Sequence, residues 1–426
     1  MNLTQTIKNY KIIILRNLLE KWILLWVFLF SISVVSYHGH GGQSALILLI
    51  TSIYLIVKEY KLNSLTLGDK EERIFLYLVL AWFGWQLFGV IYQPIGFEYN
   101  DIREKLSAFD NSSRWILLLP LFFIFKRFYI DFRIVLIGLA CGSIFAVIFS
   151  YIQVYHLGFS RAEGFSNHPI TFAEMMVIVD ILLWVSTVYY WQNNNKILSL
   201  FLFVSSILSF YGSLLSVTRG AWVVYIFMIL LWIIYIVKNK SSLSKSLFAR
   251  FTFMAIALFL VSKTEQYEVL EVRTSNAINY ATKGDLNNAS GGRLLIYKNS
   301  LESAKKYPFG VGTNNFRKIE QVGQHYGHAH NEALNILVET GVQGLTTFVF
   351  FILWTGYFFW KNLKNNNKLI RLYSMCGLLL IGSYGIFGQT QAIFNHHQTL
   401  IFFIFFLYLF FAQIKFLKRQ DSLVSC

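Results

Sequence analysis

Twelve apolar stretches, spread along almost the whole chain, constrain what this sequence can become more than any other feature. They run over Trp22–Tyr37, Ser44–Val57, Ile74–Tyr92, Trp115–Phe125, Ile134–Tyr155 and Ile170–Tyr190 in the first half. Ile197–Val217, Ala221–Val237, Leu247–Ser262, Val342–Trp360, Leu369–Phe387 and Gln398–Ile414 complete the set. Segments of about 20 apolar residues match the thickness of a bilayer. Within lipid, a single segment satisfies its own backbone hydrogen bonds only as a helix. The charged fraction, 14%, is well under the roughly 25% of a soluble protein and agrees with a membrane location. Cys141 and Cys376 lie inside apolar runs and Cys426 is the last residue, so no disulfide framework is readable.

Lysine and arginine bias then orients the chain. With the start in the cytoplasm, Lys8, Lys11, Arg16 and Lys21 precede the first span, which reads as an uncleaved signal anchor. The later cytoplasmic connections carry Lys58, Lys61, Lys70 and Arg73; Lys126, Arg127 and Arg133; and Lys196. They continue with Lys238, Lys240, Lys245 and Arg250; Lys361, Lys364, Lys368 and Arg371; and Lys415, Lys418 and Arg419. Most of the +15 net charge is thereby a topology signal, and nucleic acid is not an expected partner. The expected fold is all-α and polytopic, with about twelve transmembrane helices and one long periplasmic loop. Residues 1–262 hold helices 1–9, residues 263–341 the loop, and residues 342–426 helices 10–12 with a cytoplasmic tail.

The loop is the only sizeable segment outside the spans, and its cations escape the topology explanation. In Asn288–Phe316, NASGGRLLIYKNSLESAKKYPFGVGTNNF, Ser290 reads as an N-cap. An amphipathic helix with Leu294, Leu295, Leu301 and Ala304 would follow until Pro308 ends it. Arg293 then falls at the third helical position, where a capping box prefers an acid. The amides of Ser290, Gly291 and Gly292 together with that arginine suit an anion. Gly310-x-Gly312 is too short for a phosphate loop. In GHAHNEALNILVETGVQG, His328 and His330 precede Asn331, a good N-cap. A helix start favours the neutral imidazole that a general base requires. The histidine spacing alone does not make a zinc site, since no further ligand set is evident.

Arg219, in the three-residue connection Thr218–Gly220, is held at the membrane boundary, where arginines are paired or functional. Arg161 lies in a looser loop beside Glu163, with which a local ion pair is expected. Glu174 and Asp180 fall inside the sixth span and either pair with an arginine, line a wet cavity or lie near its end. All these loop cations share the outer side. Arginines with a neutral histidine, and no carboxylate motif for a metal, suit a diphosphate-bearing substrate.

At SVTRGAW (Ser216–Trp222), SGGRLLIYKNSLESAKKYPFGVGTNNF (Ser290–Phe316) and HAHNEALNILVETGVQG (His328–Gly344), the sequence resembles the O-antigen ligase/polymerase superfamily of bacterial envelope glycosyltransferases, and the ligases most. The pattern of a histidine, ten residues and a glycine falls on His330 and Gly341. The resemblance implies transfer of a glycan from undecaprenyl diphosphate to a sugar hydroxyl of lipid A–core oligosaccharide. That would occur at the periplasmic face of the inner membrane, in lipopolysaccharide biosynthesis, with no metal or other cofactor. It implies diphosphate contacts from Arg219 and Arg293 and a base at His330. His328 is the alternative base, and Arg161, Arg273, Ser290 and Asn331 are further substrate-binding candidates. O-antigen polymerase shares the donor. A polytopic anion transporter is the alternative from another class, but it would place its polar groups near the midplane.

Overall fold

Every expected span is helical. The computed structural model describes residues 3–62, 68–239, 244–319 and 327–424. The first eight helices are α1 (Leu3–Ser36), α2 (Gly42–Lys61), α3 (Lys70–Ile91), α4 (Ile102–Leu117), α5 (Leu119–Arg127), α6 (Phe132–Tyr155), α7 (Pro169–Gln192) and α8 (Lys196–Leu215). They are followed by α9 (Arg219–Asn239), α10 (Ser244–Val261), α11 (Glu265–Thr282), α12 (Leu286–Ala289) and α13 (Arg293–Lys306). The chain closes with α14 (Glu332–Asn362), α15 (Lys368–Phe387) and α16 (His397–Val424). Among the described residues there is no strand. Ten helical segments among the described residues, α4 and α5 counting as one, are long and apolar enough to cross a membrane. The other two expected spans fall on α9 and α10, whose apolar stretches include Arg219–Met228 and Arg250–Phe259. This is an all-α polytopic membrane protein. Lys240 lies outside the described residues.

Helices α7 and α16 are buried on nearly every face, as expected of helices that are apolar all round and sit inside a bundle. Two polar features sit inside or below this core. Asp180, fully buried in α7, pairs with Arg250 of α10 and accepts hydrogen bonds from Ser206 Oγ (2.6 Å) and Tyr225 OH (2.7 Å). Arg250 is therefore not a loop cation signalling topology, because Asp180 compensates its charge within the bundle. At the far end, the first turn of α3 gathers cations from other elements. Glu72 accepts from Lys126 (2.9 Å) and Arg419, while Lys415 bridges Asp69 and Glu71.

Removing one member of a buried ion pair leaves an uncompensated charge, at a cost of about 3–5 kcal/mol. Arg250→Ala is therefore expected to lower thermal stability in detergent strongly, and Arg250→Ala with Asp180→Asn to recover most of the loss. Equal instability of the single and double variants would show that packing, rather than charge, sets the effect.

The expected loop is largely helical, and it carries a small core of its own. Ile296, Val311, Phe316, Ala329 and Val338 cluster there with Phe97 from the α3–α4 connection. The segment is tied to the end of α3 through Thr313 N to Gly89 O (3.0 Å) and to that connection through Tyr99 OH to Thr313 O (2.6 Å). Helix α14 breaks at Gly341 (φ 72°, ψ −176°), dividing it into a short first section and the membrane span. The break interrupts the helical ladder, and the chain at Pro308–Gly312 repairs it. Val311 N donates to Val338 O (2.8 Å), Gly312 N to Glu339 O (3.0 Å) and Val342 N to Pro308 O (3.1 Å). A Cβ on Gly341 would stand 2.3 Å from Pro308 O, and one on Gly310 would stand 2.4 Å from Glu339 O. These glycines allow two backbones to touch, which is why Gly310-x-Gly312 is not a phosphate cradle.

Candidate active site

Five connections meet at one end of the bundle: α6–α7, α8–α9, α12–α13, α15–α16 and the segment leading into α14. Asn331 caps α14, its Oδ1 accepting from Leu334 N at 3.0 Å. His330 stands immediately before this cap with φ 49°. Left-handed backbone at a residue other than glycine is sparsely populated and costs about 1–3 kcal/mol. The same feature recurs at Val217 (φ 52°), just before Thr218 and Arg219, and at Asn167 (φ 55°), just before His168. For the β-branched Val217 it is a pronounced outlier. Strained backbone therefore flanks three of the loops that meet here.

The structure brings the two basic motifs together. Helix α13 places Arg293 one turn before Tyr297, so both lie on one face. Tyr297 OH donates to His330 O (3.3 Å) and Gln389 O (3.2 Å), which fastens that face to the histidine segment. On the other side, Arg161 does not turn to Glu163. Its Nε donates to Ser216 O (2.9 Å) and its Nη2 to Thr218 Oγ1 (3.0 Å), joining the α6–α7 loop to the α8–α9 loop. Arg219 Nη1 donates to Thr274 Oγ1 of α11 at 3.0 Å, and Arg273 is the preceding residue. Thr390 comes close to the start of α9, since a Cβ on Gly220 would stand 3.1 Å from its Oγ1.

These cations feel one another. Burial, with Arg273 next, lowers the Arg161 guanidinium to about 10, and burial with Arg219 lowers Arg273. Each guanidinium thus disfavours the charge on its neighbour, a repulsion that a bound anion would relieve.

Sequence reasoning did not single out His168, His396 or Gln391, all of which belong here. His328 and His330 have ring centroids 4.3 Å apart, and His396 lies 5.8 Å from His168 and 6.2 Å from His328. Gln391, 1% exposed, lies between two of the rings. Its Oε1 is 2.9 Å from His330 Nδ1 and its Nε2 is 2.9 Å from His396 Nε2. Burial lowers all four imidazoles, His328 to about 3 and His396 to about 4. At His330 the hydrogen bond with Gln391 opposes that effect, and Arg293 and His168 add to it. The available signal was the polar run GQTQAIFNHH in a short connection on the same side as His330.

Four expectations about this helix need correction. Ser290 does not cap α13; it ends α12, with its Oγ donating to Asn287 O at 2.8 Å, and the residue before α13 is Gly292 (φ 82°). Arg293 is consequently the first helical residue rather than the third. The amides of Ser290, Gly291 and Gly292 are not free for an anion, since they donate to Leu286 O, Asn288 O and Asn287 O. Finally, α13 buries Ile296, Ser300 and Ser303, while Leu294, Leu295 and Leu301 are exposed. Those leucines do not form its packed face.

Glu174, in the second turn of α7, is buried with its Oε2 lacking a hydrogen-bond partner. Among the described residues, no three His, Cys, Asp or Glu side chains are arranged to hold a metal ion. A cavity of about 120 Å³ lined by Gln192, Asn193, Lys368 and Arg371 opens at the opposite end of the bundle.

Fold and site together define a polytopic membrane protein with a basic, histidine-bearing centre at one end of its helices. Residues 204–349 match the family model described as O-Antigen ligase, which agrees with the resemblance carried by the three motifs. A Haemophilus influenzae protein described as uncharacterized is 24% identical over 394 residues, covering 89% of this chain and 95% of its own. The family match supports a transferase acting on lipid-linked glycans in a membrane.

Proposed function

We propose that this protein is an O-antigen ligase that moves a glycan from undecaprenyl diphosphate to a sugar hydroxyl of lipid A–core oligosaccharide. It acts at the periplasmic face of the inner membrane and needs neither metal nor nucleotide. The observation that supports this reading is a run of neighbouring basic groups at one end of the bundle: Arg219 acts on Arg273, Arg273 on Arg161, Arg161 on His168, and His168 and Arg293 on His330.

The acceptor oxygen attacks the anomeric carbon of the donor, and the bond from that carbon to the diphosphate oxygen breaks. The electron pair leaves with undecaprenyl diphosphate, and the acceptor proton passes to His330. Arg219 and Arg293 contact the leaving diphosphate, where guanidinium groups offset the charge that builds as the bond breaks. Arg161 and Arg273 extend the basic surface, and Arg161 also holds the Arg219 connection in place. Asn331 starts the helix behind His330, and Ser290 shapes the turn before Arg293.

Hydrogen bonding supports His330 over His328 as the base. His330 N donates to His328 Nδ1 at 3.2 Å, so a neutral His328 carries its proton on Nε2 and offers a donor rather than a base. A transporter reading is disfavoured because these groups crowd one end, while the buried Asp180 is already matched by Arg250.

The lipopolysaccharide ladder of a deletion strain tests the reading. Loss of a ligase leaves bare core while lipid-linked polymer accumulates. Core capped by a single repeat would instead identify a polymerase with the same donor. An unchanged ladder would reject both.

A further inference from the structure

We infer that Gln391 is a positioning residue that sets the tautomer of His330, holding its proton on Nδ1 so that Nε2 carries the basic lone pair. The inference rests on the reading of His330 as the base. A primary amide has one end that only accepts and one end that only donates. Gln391 presents Oε1 to His330 Nδ1 and Nε2 to His396 Nε2, both at 2.9 Å. His330 Nδ1 must therefore donate, and His396 Nε2 must accept. A neutral imidazole carries one N–H, so both rings hold their proton on Nδ1. The opposite amide orientation would place the His330 proton on Nε2 and abolish its basicity toward an acceptor hydroxyl.

The surroundings hold this arrangement in place. Gln391 N donates to Phe387 O at 3.0 Å. Glu332, the first residue of α14, staples the same loop at two points: its N donates to Gly388 O (2.6 Å) and its Oε2 accepts from Phe394 N (3.1 Å). The amide is thus tied to the helix whose start adjoins His330. Among the described residues, the ionisable groups that act on His330 include Arg293 from α13, His168 from the start of α7 and His328 from its own segment, with His396 beyond Gln391. None of these is an acid, so the amide supplies the orientation that a carboxylate provides in other histidine bases, while stabilising an imidazolium less than a carboxylate would.

Ring ¹⁵N–¹H spectra of the full-length protein, labelled with ¹⁵N-histidine in lipid nanodiscs, read the tautomer directly. The His330 signal is assigned by its loss in His330→Asn. A proton on Nδ1 is the expected result; a proton on Nε2 overturns the inference whatever the activity. A pH profile of kcat supplies the second arm. Gln391→Glu places a carboxylate on Nδ1 and should move the acid limb up by at least one pH unit, with donor KM within twofold of wild type. Gln391→Leu should lower kcat at least tenfold, again with little change in KM. An unmoved acid limb in Gln391→Glu contradicts the inference. Full turnover by His330→Ala would instead defeat the base assignment itself, and the tautomer measurement keeps the two failures apart.

Discussion

His330→Ala is expected to lower single-turnover transfer by about 10²–10⁴-fold at saturating donor, the usual contribution of a positioned general base. A sugar hydroxyl is a weak nucleophile, so removing its proton in the transition state matters more than holding the ground state. Donor affinity should change little, because the arginines rather than the imidazole contact the diphosphate. Burial and neighbouring cations hold His330 below the ordinary histidine value of 6.5, so at neutral pH the ring is in its basic form. The acid limb of kcat should accordingly fall below pH 6.5 in wild type. His328→Ala should be milder, since His328 Nδ1 already accepts the backbone N–H of His330. A dead His328→Ala with an active His330→Ala would move the base by two residues. Near-normal turnover in both would remove histidine from the mechanism.

Arg293→Lys is the second large effect. The substitution keeps one positive charge but loses the planar fork that engages two phosphate oxygens at once. A hydrogen bond to a charged group contributes about 1.5–3 kcal/mol, so turnover should fall roughly 10–100-fold while the protein still inserts and folds. Arg219→Lys should act in the same direction, with a smaller loss because Arg219 is exposed and already shares Nη1 with Thr274. Fully active Arg293→Lys would exclude a two-point contact and leave only a charge role. The measurement is single-turnover transfer with variants of matched expression and thermal stability.

Most of the helical architecture was legible because its signal is long and local. Apolar stretches of about 20 residues leave one backbone solution in lipid. The Asn331 cap was readable for the same reason, since a short polar side chain before an apolar run satisfies an exposed amide three residues on. Where neighbouring polar residues compete, local reasoning failed. Ser290 has the residue type of a cap, but two successive left-handed glycines let the chain turn once more before α13 begins. Asn287, eight residues upstream of Leu295, then satisfies the Leu295 amide with its Oδ1 (3.1 Å). Arg250 shows the converse error: by position it looks like a loop cation, and only the packing of α10 against α8 and α7 reveals Asp180 as its partner.

The candidate site divides along the same line. Arg219, Arg293 and His330 lie in motifs that are continuous in sequence. Gln391 and His396 reach the site only because α15 and α16 return their connection to the same end as the α14 cap, 61 residues from His330 for Gln391. No local periodicity encodes that meeting. Gly341 was visible as part of a motif, but its physical role, a break whose freed carbonyls are satisfied by Val311 and Gly312, required the second backbone to be in view.

The most direct test of glycan transfer at the arginine–histidine centre is a reconstituted reaction. Purified full-length protein in lipid receives undecaprenyl-diphosphate-linked glycan and lipid A–core acceptor in excess EDTA, and both products are followed. Glycan should move onto the acceptor with release of one undecaprenyl diphosphate per linkage formed, and the His330→Ala protein should yield neither product at a comparable rate. Absence of transfer, or transfer restored only by a divalent cation, would contradict this mechanism.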